Sequence, residues 1–392
     1  MINEYNSNSS MDISGFTVAP SLDPSKPPTW GQTRLCINRN PHRYNTGPFV
    51  LVSYYWNLEE LNCPENDALQ NETSLASIDV VEHIVPHMPR DSSVITNIEY
   101  KTVDGSATMK VSSDPTMESF PAVPDDLINV PRVSIDALTR FSDELSHSTT
   151  VDLVVIDDHP TRFAFKHYPL LTPDHDSVDN LLDEARLLLA LADSAYIVKM
   201  THIVIDAGSD AKPVFRGFLM PYYPKGSMRQ VIERSNSPIE WALKQKWALQ
   251  IAMGVQALHQ RSSYSGDLKL DNILLSDAND ISLIDVYPTS GYTHSYTPPE
   301  LDEFEPKLTP ARDVYALGII FWALSKVISE FEKEEIPDGC WREDDEVVPK
   351  WFRQLVVSCL AEDPSSRPTV EVVVNTLSEF SSDKCQESFL DL

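Results

Sequence analysis

The chain has 392 residues with 42% hydrophobic content. This length exceeds what a single ordinary hydrophobic core can organise, so we expect two domains or one two-lobed domain with an appendage. Its formal net charge of -28 at pH 7 would repel nucleic-acid phosphates and anionic lipid surfaces, and the sequence offers no basic patch to offset this charge. We therefore predict neither a nucleic-acid partner nor a membrane partner.

Cysteine usage and targeting signals indicate the compartment. The five cysteines are odd in number and scattered, without a C-x-x-C pair, which argues against a disulfide framework or a zinc site. The first residues are polar and acidic, and the longest apolar run, 316–324, is too short to cross a bilayer. We expect an intracellular protein, cytoplasmic or nuclear.

The first third of the chain predicts a small α+β region of unknown role over residues 31–112. Residues 1–30 before it are rich in Asn, Ser and Pro, which predicts disorder. Helical spacing of apolar residues predicts a helix over 74–85, and Asp104-Gly105 suits a tight hairpin turn. The predicted strands are 49–56, 94–103 and 107–111.

A second domain follows over residues 134–380. Prolines among polar residues at 113–133 predict a stiff linker before it, and residues 381–392 form a C-terminal tail. The first half of the domain predicts strands and one helix: strands 151–156, 162–168, 203–205 and 215–220, and helix 178–192. The second half predicts helices 241–259, 314–326, 349–360 and 370–380. A small β-rich lobe thus precedes a larger helical lobe, which is an α+β arrangement.

The strongest chemical signal is the segment 267–272, which reads Asp-Leu-Lys-Leu-Asp-Asn and is followed by Asp285. Phosphoryl transfer needs a carboxylate to receive the hydroxyl proton, oxygen ligands for a metal that neutralises the phosphates, and a cation on the transferred group. Asp267, Asn272 with Asp285, and Lys269 supply these groups. A D-x-x-x-x-N spacing alone is weak support, because surface Asp and Asn residues are common.

These residues resemble the catalytic loop H-R-D-L-K-x-x-N and the metal-binding D-F-G of the eukaryotic protein kinase superfamily. The resemblance runs in order over roughly 240 residues. It implies a bilobal kinase-like fold that uses ATP and Mg²⁺, with Asp267 as the catalytic base and Lys269 on the transferred phosphate. It also implies that Asn272 and Asp285 hold magnesium.

The same resemblance implies an anchor for the nucleotide phosphates. Lys166 ends the strand segment Phe-Ala-Phe-Lys, where the family presents its phosphate-anchoring lysine, and Glu184 on the next helix would be its ion-pair partner. The alternatives are an exposed strand lysine and a solvated helix glutamate.

A hinge for the adenine is implied at residues 220–227. Met220 would be the gatekeeper, Pro221 would offer a carbonyl and Tyr223 an amide, so the missing N–H of proline does not prevent adenine binding. Leu274 would form the floor beneath the base.

Later residues resemble the structural motifs of the helical lobe. Thr293 stands where the family contacts its catalytic aspartate, and Glu300 ends a segment similar to A-P-E. Residues 313–318 resemble D-x-W-x-x-G with Tyr315 in place of Trp, and Arg367 would pair with a buried Glu300.

Four departures from the family pattern bear on activity. None of the twelve glycines falls between Gly105 and Gly208, so the glycine-rich lid over the phosphates is absent. Ser265-Gly266 replaces His-Arg before Asp267, which removes the usual arginine partner of an activation-segment phosphate, and Val286-Tyr287 replaces Phe-Gly after Asp285. The activation segment, Asp285 to Glu300, has only 16 residues and leaves little platform for a protein substrate.

Three functions stay open at this point. The first is a Ser/Thr protein kinase that transfers the ATP γ-phosphate to protein substrates, because all the catalytic groups are present together. The second is a pseudokinase that serves as a binding module. The third is a small-molecule phosphotransferase, because Gly266-Asp267 ahead of Asn272 also resembles the H-G-D-x-x-x-x-N loop of aminoglycoside-kinase-like enzymes.

An acidic stretch at 329–346 bears on the partner. A solvated loop is the simpler interpretation, and a docking surface for a basic protein partner is the other.

Overall fold

The computed structural model describes most of the chain. The described residues are 12–18, 30–38, 49–55, 96–104, 106–113, 121–142, 150–157, 159–167, 175–206, 213–235, 237–287, 292–301, 307–332, 341 and 347–380. They belong to two compact units. The first comprises Met1–Leu182 and Thr201–Pro221, and the second comprises Asp183–Met200 and Tyr222–Leu392.

A five-stranded sheet forms the beginning of the first unit. Its strands are β1 Asp12–Val18, β2 Trp30–Asn38, β3 Phe49–Tyr55, β4 Thr96–Val103 and β5 Ser106–Ser113. They lie in chain order, and all neighbours are antiparallel except β3 and β4, which are parallel. The predicted hairpin is confirmed, since β4 pairs with β5 down to Val103 opposite Ser106, and Asp104 in the turn has a φ of 50°.

Two predictions for this region have different outcomes. Residues 1–30 were predicted to be disordered, but β1 pairs with β2 along its whole length, from Asp12 opposite Asn38 to Val18 opposite Gln32. The β-branched and aromatic residues of this segment favour a strand in spite of the polar composition around it. The helix predicted at 74–85 lies outside the described residues.

A six-stranded sheet completes the first unit. Its strands are β6 Arg132–Ser134, β7 Leu138–Ser142, β8 Val151–Ile156, β9 Arg162–His167, β10 His202–Asp206 and β11 Val214–Pro221. The order across the sheet is β6-β10-β11-β9-β8-β7, with β6 and β10 parallel and the other neighbours antiparallel. Apolar residues of one face, among them Leu138, Val154 and Phe165, form its buried core. The four predicted strands are present, and β6 and β7 were not predicted.

The stretch predicted as a linker belongs to this sheet from residue 121 onward. Pro121 accepts a hydrogen bond from Phe215 N at 2.8 Å, and Pro131 accepts one from Ile203 N at 2.9 Å. Leu127 between them is completely buried. Proline cannot donate to a sheet but its carbonyl accepts normally, so a proline-rich segment can line an edge. Composition alone suggested a spacer and missed this role.

Helices dominate the second unit. They are α1 His175–Ala190, α2 Met228–Glu233, α3 Trp241–His259, α4 Pro310–Lys326, α5 Lys350–Cys359 and α6 Val370–Glu379, with α1 entering this unit at Asp183. Helix α4 is buried along nearly its whole length. Its start is fixed by Thr309, whose hydroxyl accepts a hydrogen bond from Arg312 N at 3.2 Å, and by Pro310 in the first turn.

A short hairpin in the second unit positions the candidate site. Strands β12 Ile273–Leu275 and β13 Ile281–Leu283 pair antiparallel, with Ile273 opposite Leu283. The residues just before β12 and just after β13 therefore emerge at the same end of the hairpin. In the described part of the chain, no helix has the length and apolar character needed to span a bilayer.

Candidate active site

The loop that carries Asp267 is anchored by the first turn of α4. Asp313, which is 1% exposed, accepts hydrogen bonds from Ser265 N at 3.0 Å and Gly266 N at 3.2 Å, and its carboxylate lies 2.9 Å from His259 Nε2. Gly266 has a φ of 71°, which a residue with a side chain rarely adopts. The two residues that depart from the family motif thus form a turn that presents its N–H groups to Asp313.

Arg312 is a contact of the Asp267 loop that the sequence analysis missed. Its side chain is buried, and its guanidinium donates a hydrogen bond to the carbonyl oxygen of Gly266. Burial lowers the pKa of Arg312, against the opposing influence of nearby Asp313, Asp267 and Tyr292. Position 266 is glycine where the family motif has arginine, and Arg312 of α4 places a cation beside the loop instead. A single sequence gives no signal for this exchange, because Arg312 precedes Asp313 on a helix that looks merely structural.

Three side chains meet at the proposed catalytic base. Asp267 Oδ1 accepts a hydrogen bond from Thr293 Oγ1 at 2.8 Å, and Asp267 Oδ2 accepts one from Lys269 Nζ at 2.7 Å. Lys269 Nζ also donates to Thr293 Oγ1 at 3.0 Å, which closes a triangle. The side chains of Asp267 and Lys269 are each 23% exposed, so solvent reaches both. The structure therefore brings together the three residues that the sequence placed here.

Asn272 and Asp285 lie at the same end of the β12–β13 hairpin. Asn272 donates its side-chain amide to the carbonyl of Asp267 at 2.9 Å, so its amide oxygen is left as the group it can offer a cation. The carbonyl of Asn272 accepts a hydrogen bond from Ile284 N at 3.0 Å, which brings Asp285 one residue away. An amide oxygen and an exposed carboxylate suit a hard cation such as Mg²⁺. These residues fit the predicted metal role.

The segment after Asp285 is tied to helix α1. Asp285 has a left-handed φ of 51°, and Val286 behind it is 1% exposed. Tyr287 donates its hydroxyl to Asp183 Oδ2 at 3.1 Å, while Arg186 donates to Asp183 Oδ1 at 2.8 Å. The sequence analysis noted Tyr287 only as a departure from the family pattern and missed this contact.

The predicted phosphate anchor is divided between the two units. Lys166 lies half-buried on β9, opposite Phe218 of β11, in the first unit. Glu184 lies on the part of α1 that belongs to the second unit, and it is 6% exposed. The alternative of a solvated Glu184 is therefore wrong, because the residue is buried. The ion pair between Lys166 and Glu184 stays a prediction.

The predicted hinge coincides with the point where the chain passes between units. Met220, 6% exposed, and Pro221 end β11 in the first unit, and Tyr222 begins the long helical part of the second. Tyr223 follows, and its hydroxyl lies 2.7 Å from Ser282 Oγ on β13. Leu274 is half-buried and pairs with the same Ser282. Tyr223 and Leu274 thus share one neighbour in the hairpin, and their contacts with adenine stay predictions.

The predicted pair of Glu300 and Arg367 is present and bidentate. Arg367 Nη1 and Nη2 donate to the two carboxylate oxygens of Glu300 at 2.6 and 2.7 Å. We expected a buried carboxylate, but the buried partner is the arginine, since the side chain of Arg367 is fully buried and that of Glu300 is 34% exposed. Arg367 also packs its guanidinium 4.8 Å from the ring centroid of Tyr315 on α4.

The fold and these motifs together define a class of protein. The sequence profile of the protein kinase domain matches residues 147–377. The chain belongs to the protein kinase family, and its β-rich and helical lobes have the bilobal α+β architecture that the sequence predicted.

Individual relatives are more distant. The receptor-like kinase TMK4 of Arabidopsis thaliana is 28% identical over 225 residues, which cover 46% of this chain and 24% of the relative. The serine/threonine-protein kinase PknK of Mycobacterium tuberculosis is 27% identical over 223 residues, which cover 50% of this chain and 19% of the relative. The chain therefore spans less than a quarter of the length of either relative.

Proposed function

We propose that the chain is a Ser/Thr protein kinase that transfers the γ-phosphate of ATP to a hydroxyl group of a protein substrate. The observation that carries this proposal is the triangle of Asp267, Lys269 and Thr293. A carboxylate held by a lysine and a threonine hydroxyl is oriented to accept a proton, and a cation beside it suits a charged phosphoryl group. The names of the relatives, both of them kinases, support the same class.

In the proposed reaction, the carboxylate of Asp267 receives the proton of the acceptor hydroxyl. The acceptor oxygen forms a bond to the γ-phosphorus, and the bond from that phosphorus to the β,γ-bridging oxygen breaks, which releases ADP. Lys269 stabilises the negative charge on the transferred group. Magnesium, when bound, neutralises phosphate charge, and the amide oxygen of Asn272 with the carboxylate of Asp285 would hold it.

We propose the nucleotide contacts on the same grounds. Lys166 would anchor the α- and β-phosphates with Glu184 as its partner. Met220, Pro221 and Tyr223 would contact the adenine, with Leu274 beneath it. The half-buried position of Lys166 on a β-strand and the burial of Glu184 support these roles.

Autophosphorylation with labelled ATP and magnesium tests the proposal. We expect the wild-type chain to incorporate label, and Asp267→Asn to abolish incorporation while leaving nucleotide binding roughly intact, because the amide keeps the shape of the carboxylate but accepts no proton. Lys166→Met should weaken nucleotide binding itself. The matched control is Asp277→Asn, an exposed turn residue of the same unit, which should change neither quantity. Absence of magnesium-dependent ATP turnover with every acceptor tried would refute the proposal.

A second candidate function is a binding module without catalysis. The specific observation in its favour is the absence of glycine between Gly105 and Gly208, since a lid with side chains cannot bring backbone amides as close to phosphates. Thermal unfolding with titrated ATP and magnesium separates the two candidates. Stabilisation that requires both compounds supports the kinase, and none in their presence supports the binding module.

The partner is proposed to be a protein with basic residues. The start of the acidic stretch lies against the catalytic region, because Glu330 forms an ion pair with Arg229, which is 3.7 Å from Asp271. Phe331 packs edge-on against Tyr296 with ring centroids 5.4 Å apart. Basic peptides compared with small alcohols as acceptors would also distinguish a protein kinase from a small-molecule phosphotransferase.

A further inference from the structure

A small pocket opens among the catalytic loop, the end of the activation segment and the first turns of α4. The space inside it that a water-sized group can occupy is about 10 Å³, and the volume reaches about 220 Å³ only when the open solvent at its mouth is included. Its walls, all in the second unit, include Asp267, Leu268, Thr293, Thr297, Arg312 and Ala316. We call it the Arg312 pocket. Its interior therefore has room for one water-sized group, such as a single carboxylate oxygen, and adjoins the proposed catalytic base.

Arg312 gives this pocket its chemical character. The residue is 5% exposed, yet it carries a guanidinium with five N–H donors and a charge that persists at all physiological pH values. Within the described part of the chain, its side chain makes one hydrogen bond, to the Gly266 carbonyl, and no ion pair. Among the described residues, most donors of this buried cation have no acceptor, and this favours an anionic ligand.

The two carboxylates in the pocket wall are already engaged. Asp313 accepts hydrogen bonds from Ser265 N and Gly266 N and lies against His259. Asp267 is held by Lys269 and Thr293. Neither forms an ion pair with Arg312, so the guanidinium is the wall group available to a ligand.

We propose that the Arg312 pocket binds the carboxylate of an aspartate or glutamate in the protein substrate, close in sequence to the hydroxyl that is phosphorylated. This inference rests on the proposed kinase function and specifies its substrate. One oxygen of that carboxylate would enter the pocket and accept a charge-assisted hydrogen bond from the guanidinium, while the other oxygen stays at the mouth. Proximity follows from the bond to Gly266, the residue directly before Asp267. The basic residues proposed for the partner would lie farther away, along the acidic stretch.

Anion binding can be tested without any catalysis. The probe is inorganic sulfate, measured by thermal unfolding against sodium chloride at equal ionic strength. Sulfate stabilises proteins in general, so the comparison is among variants: wild type, Arg312→Gln, Arg312→Lys and the control Arg261→Gln. Arg261 is a surface residue paired with Asp193, and its replacement removes the same charge. We expect the sulfate-specific shift to be lost in Arg312→Gln, reduced in Arg312→Lys and retained in Arg261→Gln.

Substrate preference is measured with a peptide series. Each peptide has one acceptor hydroxyl and carries Glu or the isosteric Gln at each flanking position in turn. At one position we expect kcat/KM to favour Glu over Gln by about tenfold in the wild type, since a charge-assisted bond is at stake. That ratio should fall to near one in Arg312→Gln. A merely structural role for Arg312 would lower the rates for both peptides and leave their ratio unchanged.

The outcomes separate this proposal from the function it rests on. Arg312-dependent sulfate binding without ATP turnover would refute both the kinase function and the substrate assignment. Turnover with equal rates for Glu and Gln peptides in the wild type would overturn the pocket alone, and this arm holds even if the Arg312 variants do not fold. A third outcome is that mass spectrometry finds phosphate on residues 292–297 in a chain that no longer binds sulfate. That result would mean that the pocket holds the chain's own phosphate, and it would also overturn the substrate assignment.

Discussion

The catalytic loop, residues 265–272, and the metal loop, residues 284–287, are held in place in different ways. The catalytic loop is fixed through its backbone by buried residues: Asp313 binds two of its N–H groups, Arg312 binds a carbonyl, and Tyr296 accepts from Leu270 N at 3.4 Å. In the metal loop, Ile284 N donates to the Asn272 carbonyl, Asp285 has a left-handed φ, and a side chain of the loop itself, Tyr287, donates to Asp183.

This difference explains how the catalytic loop tolerates its unusual sequence. Bonds to backbone groups use no side chain of the loop, so Ser265 and Gly266 can replace the His and Arg of the family without loss of these bonds, and glycine suits the positive φ at position 266. In the metal loop, Tyr287 adds a bond from its own side chain, at a position where the family pattern has Gly. We therefore expect substitutions in the supports of the catalytic loop to have the larger effects.

The largest effect is expected for Asp313→Ala. The change leaves the N–H groups of Ser265 and Gly266 without their acceptor in a buried position, and we expect the free energy of unfolding to fall by about 2–4 kcal/mol. Urea denaturation measures this loss. Asp277→Ala, in an exposed turn, is the control and should change it by less than about 0.5 kcal/mol. An Asp313→Ala chain as stable as this control would show that the loop does not need its anchor.

A smaller effect on stability, and a clear one on rate, is expected for Thr293→Val. The valine keeps the shape of the side chain but removes the hydroxyl that orients Asp267 and receives a bond from Lys269. Phosphotransfer should slow by about ten- to hundredfold, because a misplaced base reacts poorly. The free energy of unfolding should change by less than about 1 kcal/mol. Thr293→Ser should restore the rate, and an unchanged rate in Thr293→Val would remove the threonine from the proposed mechanism.

The same two loops show what the sequence could and could not predict. Asp267, Lys269 and Asn272 stand at fixed spacing in one loop, so a pattern was enough to place them, and α3 was predicted with its observed bounds. Arg312 and Tyr287 act on partners 46 and 104 residues away, and no local pattern reports such contacts.

The proline-rich segment before β6 was predicted wrongly for a related reason, since its carbonyls pair with strands about 70 to 95 residues later.

The smallest effect is expected for Tyr287→Phe, which removes only the hydroxyl bonded to Asp183. A single neutral-to-charged hydrogen bond on a half-buried residue should raise the magnesium concentration needed for half-maximal nucleotide binding by about two- to tenfold. Thermal unfolding with ATP and titrated magnesium measures this concentration even in a chain that transfers no phosphate.

A double-mutant cycle decides whether that effect acts through helix α1. Asp183→Asn alone removes the charged acceptor, and together with Tyr287→Phe it should add little to either single change, because both break the same bond. Arg186→Met is the control, since it loosens Asp183 without touching Tyr287. Fully additive effects of Tyr287→Phe and Asp183→Asn would mean that contacts other than this hydrogen bond position the metal loop. The two loops would then differ in how strongly they are held, and not in which groups hold them.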